Sequence, residues 1–96
     1  MKRTQAMSVG EILKLYIDHD GDRAEFDRRK VEYLWSSVVG PSINKLTVSR
    51  RVIGDVMHVT ISSAPLRNEL AFMAPALVKA LNEAVGADVI TKIIFH

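Results

Sequence analysis

The sequence predicts an α+β domain whose elements run α-α-β-β-α-β, with a three-stranded sheet and helices packed on one face. Three observations predict it. Apolar residues recur at intervals of three and four as far as Val39, at intervals of two from Thr47, and at three and four again from Ser63. Turn-forming residues stand where the period changes: Gly40-Pro41, Gly54-Asp55 and Gly86. The chain has 96 residues, the length of one domain with one core.

Residues 1–7 read as a polar, flexible start, and residues 8–96 as the domain. Ser8-Val9-Gly10-Glu11 has the form of a capping box, with Ile12, Leu13, Tyr16 and Ile17 following at helical spacing. A first helix is therefore expected over 8–18, ended by the turn at His19-Asp20-Gly21-Asp22. A second is expected over 23–39. Phe26, Lys30, Tyr33 and Leu34 lie along one side of it, and Val31, Trp35, Val38 and Val39 along the adjoining side. Gly40 suits the left-handed position past a helix, and Pro41 a chain that stops there. Ser42 to Leu46 can add a short helical turn. Thr47–Ile53 and Val56–Ser62 then read as a hairpin across Gly54-Asp55. In the second strand Met57, Val59 and Ile61 share one face, and Val56, His58 and Thr60 the other. A third long helix is expected from near Ser63, with Pro65 in its first turn and a stripe of Leu66, Leu70, Met73, Leu77 and Leu81. Pro75 should kink or split it near Phe72. Gly86 closes it, and Val89 to Phe95 form the last strand, which can pair with either strand of the hairpin.

Composition narrows the function classes. The chain is 48% hydrophobic and 25% charged, ordinary for a globular domain. It has no cysteine, so neither a disulfide framework nor thiolate chemistry is available. No apolar run reaches the ~18 residues needed to span a bilayer, and Met1-Lys2-Arg3 is not followed by a secretory core. A cytoplasmic protein without a membrane partner is expected. Asp18, Asp20 and Asp22 resemble the start of a calcium loop, but its sixth and twelfth positions fall on Arg23 and Arg29. His19, His58 and His96 lack ligand-like spacing. No glycine-rich phosphate loop and no nucleophile elbow is present. Neither an enzyme, a metal, a cofactor nor a small-molecule substrate is expected.

What remains is the placement of basic side chains. Thirteen Lys and Arg face eleven Asp and Glu, a net charge of +2 that makes no footprint by itself. Lys45, Arg50 and Arg51 fall on a segment without acidic residues, and Arg28, Arg29 and Lys30 form a second group on the helix over 23–39. Either can hold phosphates, or be an ordinary solvated face; Glu25, Asp27 and Glu32 balance the helical group. Ser62-Ser63 with Arg67 and Asn68 makes a polar helix N-terminus, suited to an anion or simply to capping. Trp35 is either core or a partly buried anchor for a partner.

A resemblance adds to this. Leu34-Trp35-Ser36-Ser37-Val38-Val39-Gly40-Pro41 is similar to a helix-ending W-x-x-V-V-G segment of the DciA-type family, a bacterial domain long catalogued as of unknown function. Val56 to Ser63 resembles its short strand, and Leu66-Arg67-Asn68-Glu69-Leu70 the start of its next helix. Leu81-Asn82-Glu83 through Gly86 and Ile90 to Phe95 resemble its closing helix and strand. The likeness covers about 8–96, in a short form similar to Bacteroidetes members. It implies a KH-like α/β domain acting at replication initiation, with a DnaB-type replicative helicase and DNA, single-stranded or duplex, as partners. The G-x-x-G loop by which KH domains grip nucleic acid is absent here, so that grip is not implied. Longer members carry a flexible, often basic tail that this sequence does not include. A KH-like fold equally accommodates a module for structured RNA or ribosomes.

Overall fold

A computed structural model describes residues 23–96. Its elements are α1 (Arg23–Val39), α2 (Pro41–Lys45), β1 (Thr47–Ile53), β2 (Val56–Ile61), α3 (Ala64–Val85) and β3 (Lys92–Phe95). The expected flexible start, the helix over 8–18 and the aspartate-rich turn lie outside the described residues.

The three strands form one sheet in the order β1-β2-β3. β1 and β2 are antiparallel, joined at Gly54-Asp55. β3 chooses β2 and lies parallel to it, with Met57 opposite Ile93 and Val59 opposite Phe95. The choice follows from α3, which supplies the long crossover that a parallel neighbour needs. The hydrophobic face of β2 is the one expected: Met57, Val59 and Ile61 are buried, and their alternates half-buried. Against that face pack Val31 and Trp35 of α1 and Leu70, Leu77, Leu81 and Val85 of α3. Both long helices therefore cover the same side of a KH-like sheet. Trp35 is 0% exposed, donates from Nε1 to Thr47 Oγ1 at 3.1 Å, and sits 6.1 Å from the Phe95 ring. Its polar handle is thus satisfied inside the core.

Four expectations need correction. Of the kink or split expected at Pro75, the split does not occur, and α3 is one helix of 22 residues. Pro75 and Ala71 both lie on its exposed face, so the carbonyl that loses its N–H partner can turn to water. Met73 leaves the stripe and is exposed, while Ala74 and Val78 pack against the core instead. Tyr33 is 49% exposed, because Val31 and Trp35 take the inward face of α1. The last strand begins at Lys92, three residues later than expected. Val89 and Ile90 donate their N–H groups to Asn82 Oδ1 at 3.0 and 3.1 Å, and Asn82 Nδ2 donates to Ile90 O at 2.9 Å. One side chain thereby holds these residues out of the ladder. Gly86, at φ 87°, ends α3 in the left-handed conformation and donates its N–H to Asn82 O.

β1 is an edge strand. Its register slips between Thr47 and Ser49, leaving Val48 bulged and exposed. Farther along, Glu32 Oε2 on α1 accepts the N–H of Val52 at 2.8 Å. That carboxylate fastens helix to strand and fixes the groove between them.

Candidate nucleic-acid interface

The basic residues of α1 are largely engaged with their neighbours. Arg28 donates to Glu25 at 3.0 Å, and Arg29 pairs with Glu25 at 2.6 Å and Glu32 at 3.0 Å. These are helical i,i+3 and i,i+4 pairs, each worth only ~0.3–0.5 kcal/mol, but they orient the guanidinium groups. Lys30 reaches 3.4 Å to the carbonyl of Val85, in the last turn of α3, where a cation complements the helix dipole.

The strand residues behave differently. Successive side chains of β1 alternate across the sheet. Arg50 stands opposite Val59, on the side that the helices cover, and donates to Asn44 Oδ1 at 3.2 Å. Arg51 stands opposite His58, on the other side. The two neighbours in sequence therefore serve different surfaces. Lys45 is exposed at the end of α2, beside Asn44. Arg67 donates to Ile61 O at 3.0 Å, tying the first turns of α3 to the end of β2. Among the described residues none of Lys45, Arg50, Arg51 and Arg67 is in an ion pair.

One groove brings together a member of each basic group, Arg29 and Arg50. An open cleft of about 490 Å³ between α1 and β1 is lined by Arg29, Glu32, Tyr33, Ser36, Ser37 and Arg50. Along its walls stand the Arg50 guanidinium and three hydroxyl-bearing side chains, donor types that contact phosphates, while the Arg29 guanidinium is paired with Glu25 and Glu32. Tyr33, Ser36 and Ser37 were absent from the sequence-based candidates. Their signal was the polar stripe at 29, 33, 36 and 37, one helical face leading to Gly40.

Other candidates fare less well. Trp35 offers no surface to a partner, because its indole is fully buried; of its two expected roles it fills the core one. Ser63 Oγ accepts the N–H of Leu66 at 3.3 Å, so the N-terminus of α3 is occupied by its own cap. Asn68 is exposed. His58 Nδ1 and His96 Nε2 lie 3.1 Å apart, a contact between β2 and the residue after β3 that spacing along the chain does not reveal. Among the described residues no group of three or more His, Cys, Asp or Glu is placed to hold a metal ion, and no helix is long and apolar enough to cross a membrane.

A family model described as Dna[CI] antecedent, DciA, matches residues 8–95, almost the whole chain. The chain belongs to the DciA family. DciA proteins are linked to loading of the replicative helicase. The segments that carry the DciA likeness are mostly structural here: the end of α1, the central strand β2, the start of α3 and the Asn82-Gly86 closure all build or terminate core elements. The basic groove lies beside them, on the α1 face and the β1 edge. No individually curated protein matches the chain.

Proposed function

We propose that this chain is a cytoplasmic accessory protein of replication initiation, which binds the replicative helicase and holds DNA weakly and without sequence preference. Membership of the DciA family supports the helicase. The observation that carries DNA binding is the α1–β1 groove, where Arg50 stands without a carboxylate partner among the described residues, near Arg29 and the hydroxyls of Tyr33, Ser36 and Ser37. Such a surface reads a sugar–phosphate backbone and carries no base code. Lys45, exposed one residue from Asn44, extends it. Binding rather than catalysis is the mode of action: the groove's ionisable groups are tied to one another through the Glu25–Arg29–Glu32 pairs and the Glu32–Val52 bond.

The test has two arms. The untagged chain is passed over immobilised replicative helicase, and retention is expected; its failure removes the helicase from the reading. Single-stranded DNA, duplex DNA and RNA are then titrated at two salt concentrations with wild type and Arg50→Glu. Affinity for DNA should fall steeply with salt, and the variant's log–log slope should be smaller by about 1. A preference for structured RNA together with no helicase retention would favour an RNA or ribosome module instead. Affinity indifferent to salt would refute phosphate contacts.

A further inference from the structure

The side of the sheet opposite the helices mixes basic, polar and apolar side chains, with Ile53, Val56 and Ile94 among the apolar ones. Arg51 faces it from β1, His58 and Thr60 from β2, and Lys92 from β3, with His96 next in line beyond Ile94. Arg51, Lys92 and His96 are exposed. None of the strand positions on this side is a carboxylate. Asp55, in the hairpin turn, accepts the Thr91 hydroxyl at 2.8 Å.

Two histidines meet on this side. Their rings are 16° from parallel with centroids 5.3 Å apart, and His58 Nδ1 lies 3.1 Å from His96 Nε2. Which ring donates depends on the tautomer: a His58 donor leaves His96 Nδ1 for a further hydrogen bond, and a His96 donor leaves His58 Nε2. The main chain of His96 is also fixed, donating to Val59 O at 2.8 Å and accepting from Ile61 N–H at 2.9 Å.

We infer that this face is a second phosphate-binding surface, so that one molecule holds two segments of single-stranded nucleic acid, one on each side of β1. Arg50 anchors the first in the α1–β1 groove. Arg51, Lys92 and the His58–His96 pair hold the second. This rests on the reading that the chain binds nucleic acid. A polyanion is the occupant because every charged side chain on the face is basic, and a single strand because flat imidazole rings and Ile53, 61% exposed, suit unstacked bases.

The experiment uses the full chain and a mixture of donor-labelled and acceptor-labelled oligonucleotides. Stoichiometry is read by titration calorimetry and bridging by energy transfer, with light scattering giving the number of protomers per particle. Wild type should bind two oligonucleotides per protomer and bring the labels together. Arg51→Glu should reduce this to one, abolish energy transfer, and leave the remaining site as strong as before. Arg50→Glu should also leave one site, now lost on adding His58→Gln and His96→Gln. Circular dichroism confirms that each variant is folded. One oligonucleotide per protomer in wild type, lost with Arg50→Glu and indifferent to Arg51→Glu, overturns the second surface while sparing the proposed function. No binding by wild type overturns the nucleic-acid reading itself.

Discussion

Replacing Asn82 by alanine should be among the most damaging single changes that leave the apolar core untouched. Its side chain makes three hydrogen bonds, all to the main chain of Val89 and Ile90. Ile90 is 2% exposed, so its freed N–H and carbonyl have little access to water. At a net value of about 1 kcal/mol per bond, Asn82→Ala should cost about 3 kcal/mol. A domain this size loses roughly 4–8 °C of Tm per kcal/mol, so the midpoint should drop by about 12–24 °C. Asn82→Asp separates the contributions. It keeps an acceptor for both N–H groups but sets an oxygen against the Ile90 carbonyl, and should cost about 1–2 kcal/mol. Urea denaturation followed by circular dichroism measures both. A loss below about 0.5 kcal/mol for alanine, the range of an ordinary surface change, would refute the role given to this residue. An aspartate variant as unstable as alanine would refute the division between acceptor and donor.

Three further changes probe separate parts of the molecule. Gly86→Ala should cost about 1 kcal/mol by thermal melting, from the left-handed φ alone, because an added Cβ meets nothing within 4 Å. Trp35→Phe removes the bond to Thr47 and leaves space in the core; a loss of about 1–3 kcal/mol in denaturant is expected, and a neutral result would contradict the buried placement. Lys30→Met should change stability by less than about 0.5 kcal/mol, since a 3.4 Å contact to a helix end is weak, and a larger loss would give that lysine a role the geometry does not show.

Much of this fold is legible in the sequence because chain reversals are written in residues with few conformational options. Gly40-Pro41, Gly54-Asp55, Ser63 with Pro65, and Gly86 bound every long element within a residue or two of its observed end. The alternation of β2 is equally plain, since Met57, Val59 and Ile61 must share a face. What sequence leaves open is whatever depends on the third dimension. The partner of β3 is decided by where α3 returns the chain, and its late start by the Asn82 side chain, ten residues before Lys92. Tyr33 and Met73 fit apolar stripes by spacing, yet neighbours one or two positions away fill the core first. The candidate site suffers most. Arg50 and Arg51 look like one cluster in a string of letters, and the pleat sends them to opposite sides. Arg28 and Lys30 look available until Glu25 and the end of α3 are placed beside them.

The bond from Val52 to Glu32 also bears on how this molecule keeps its own company. An outer strand offers a row of main-chain groups onto which another chain can zip, beginning the growth of a fibril. Here the bulge at Val48 interrupts that row, and the carboxylate of Glu32 occupies a donor farther along it. A neighbouring strand would have to displace that anion to add itself in register. The same contact that shapes a groove for binding therefore guards the molecule against stacking into insoluble ribbons.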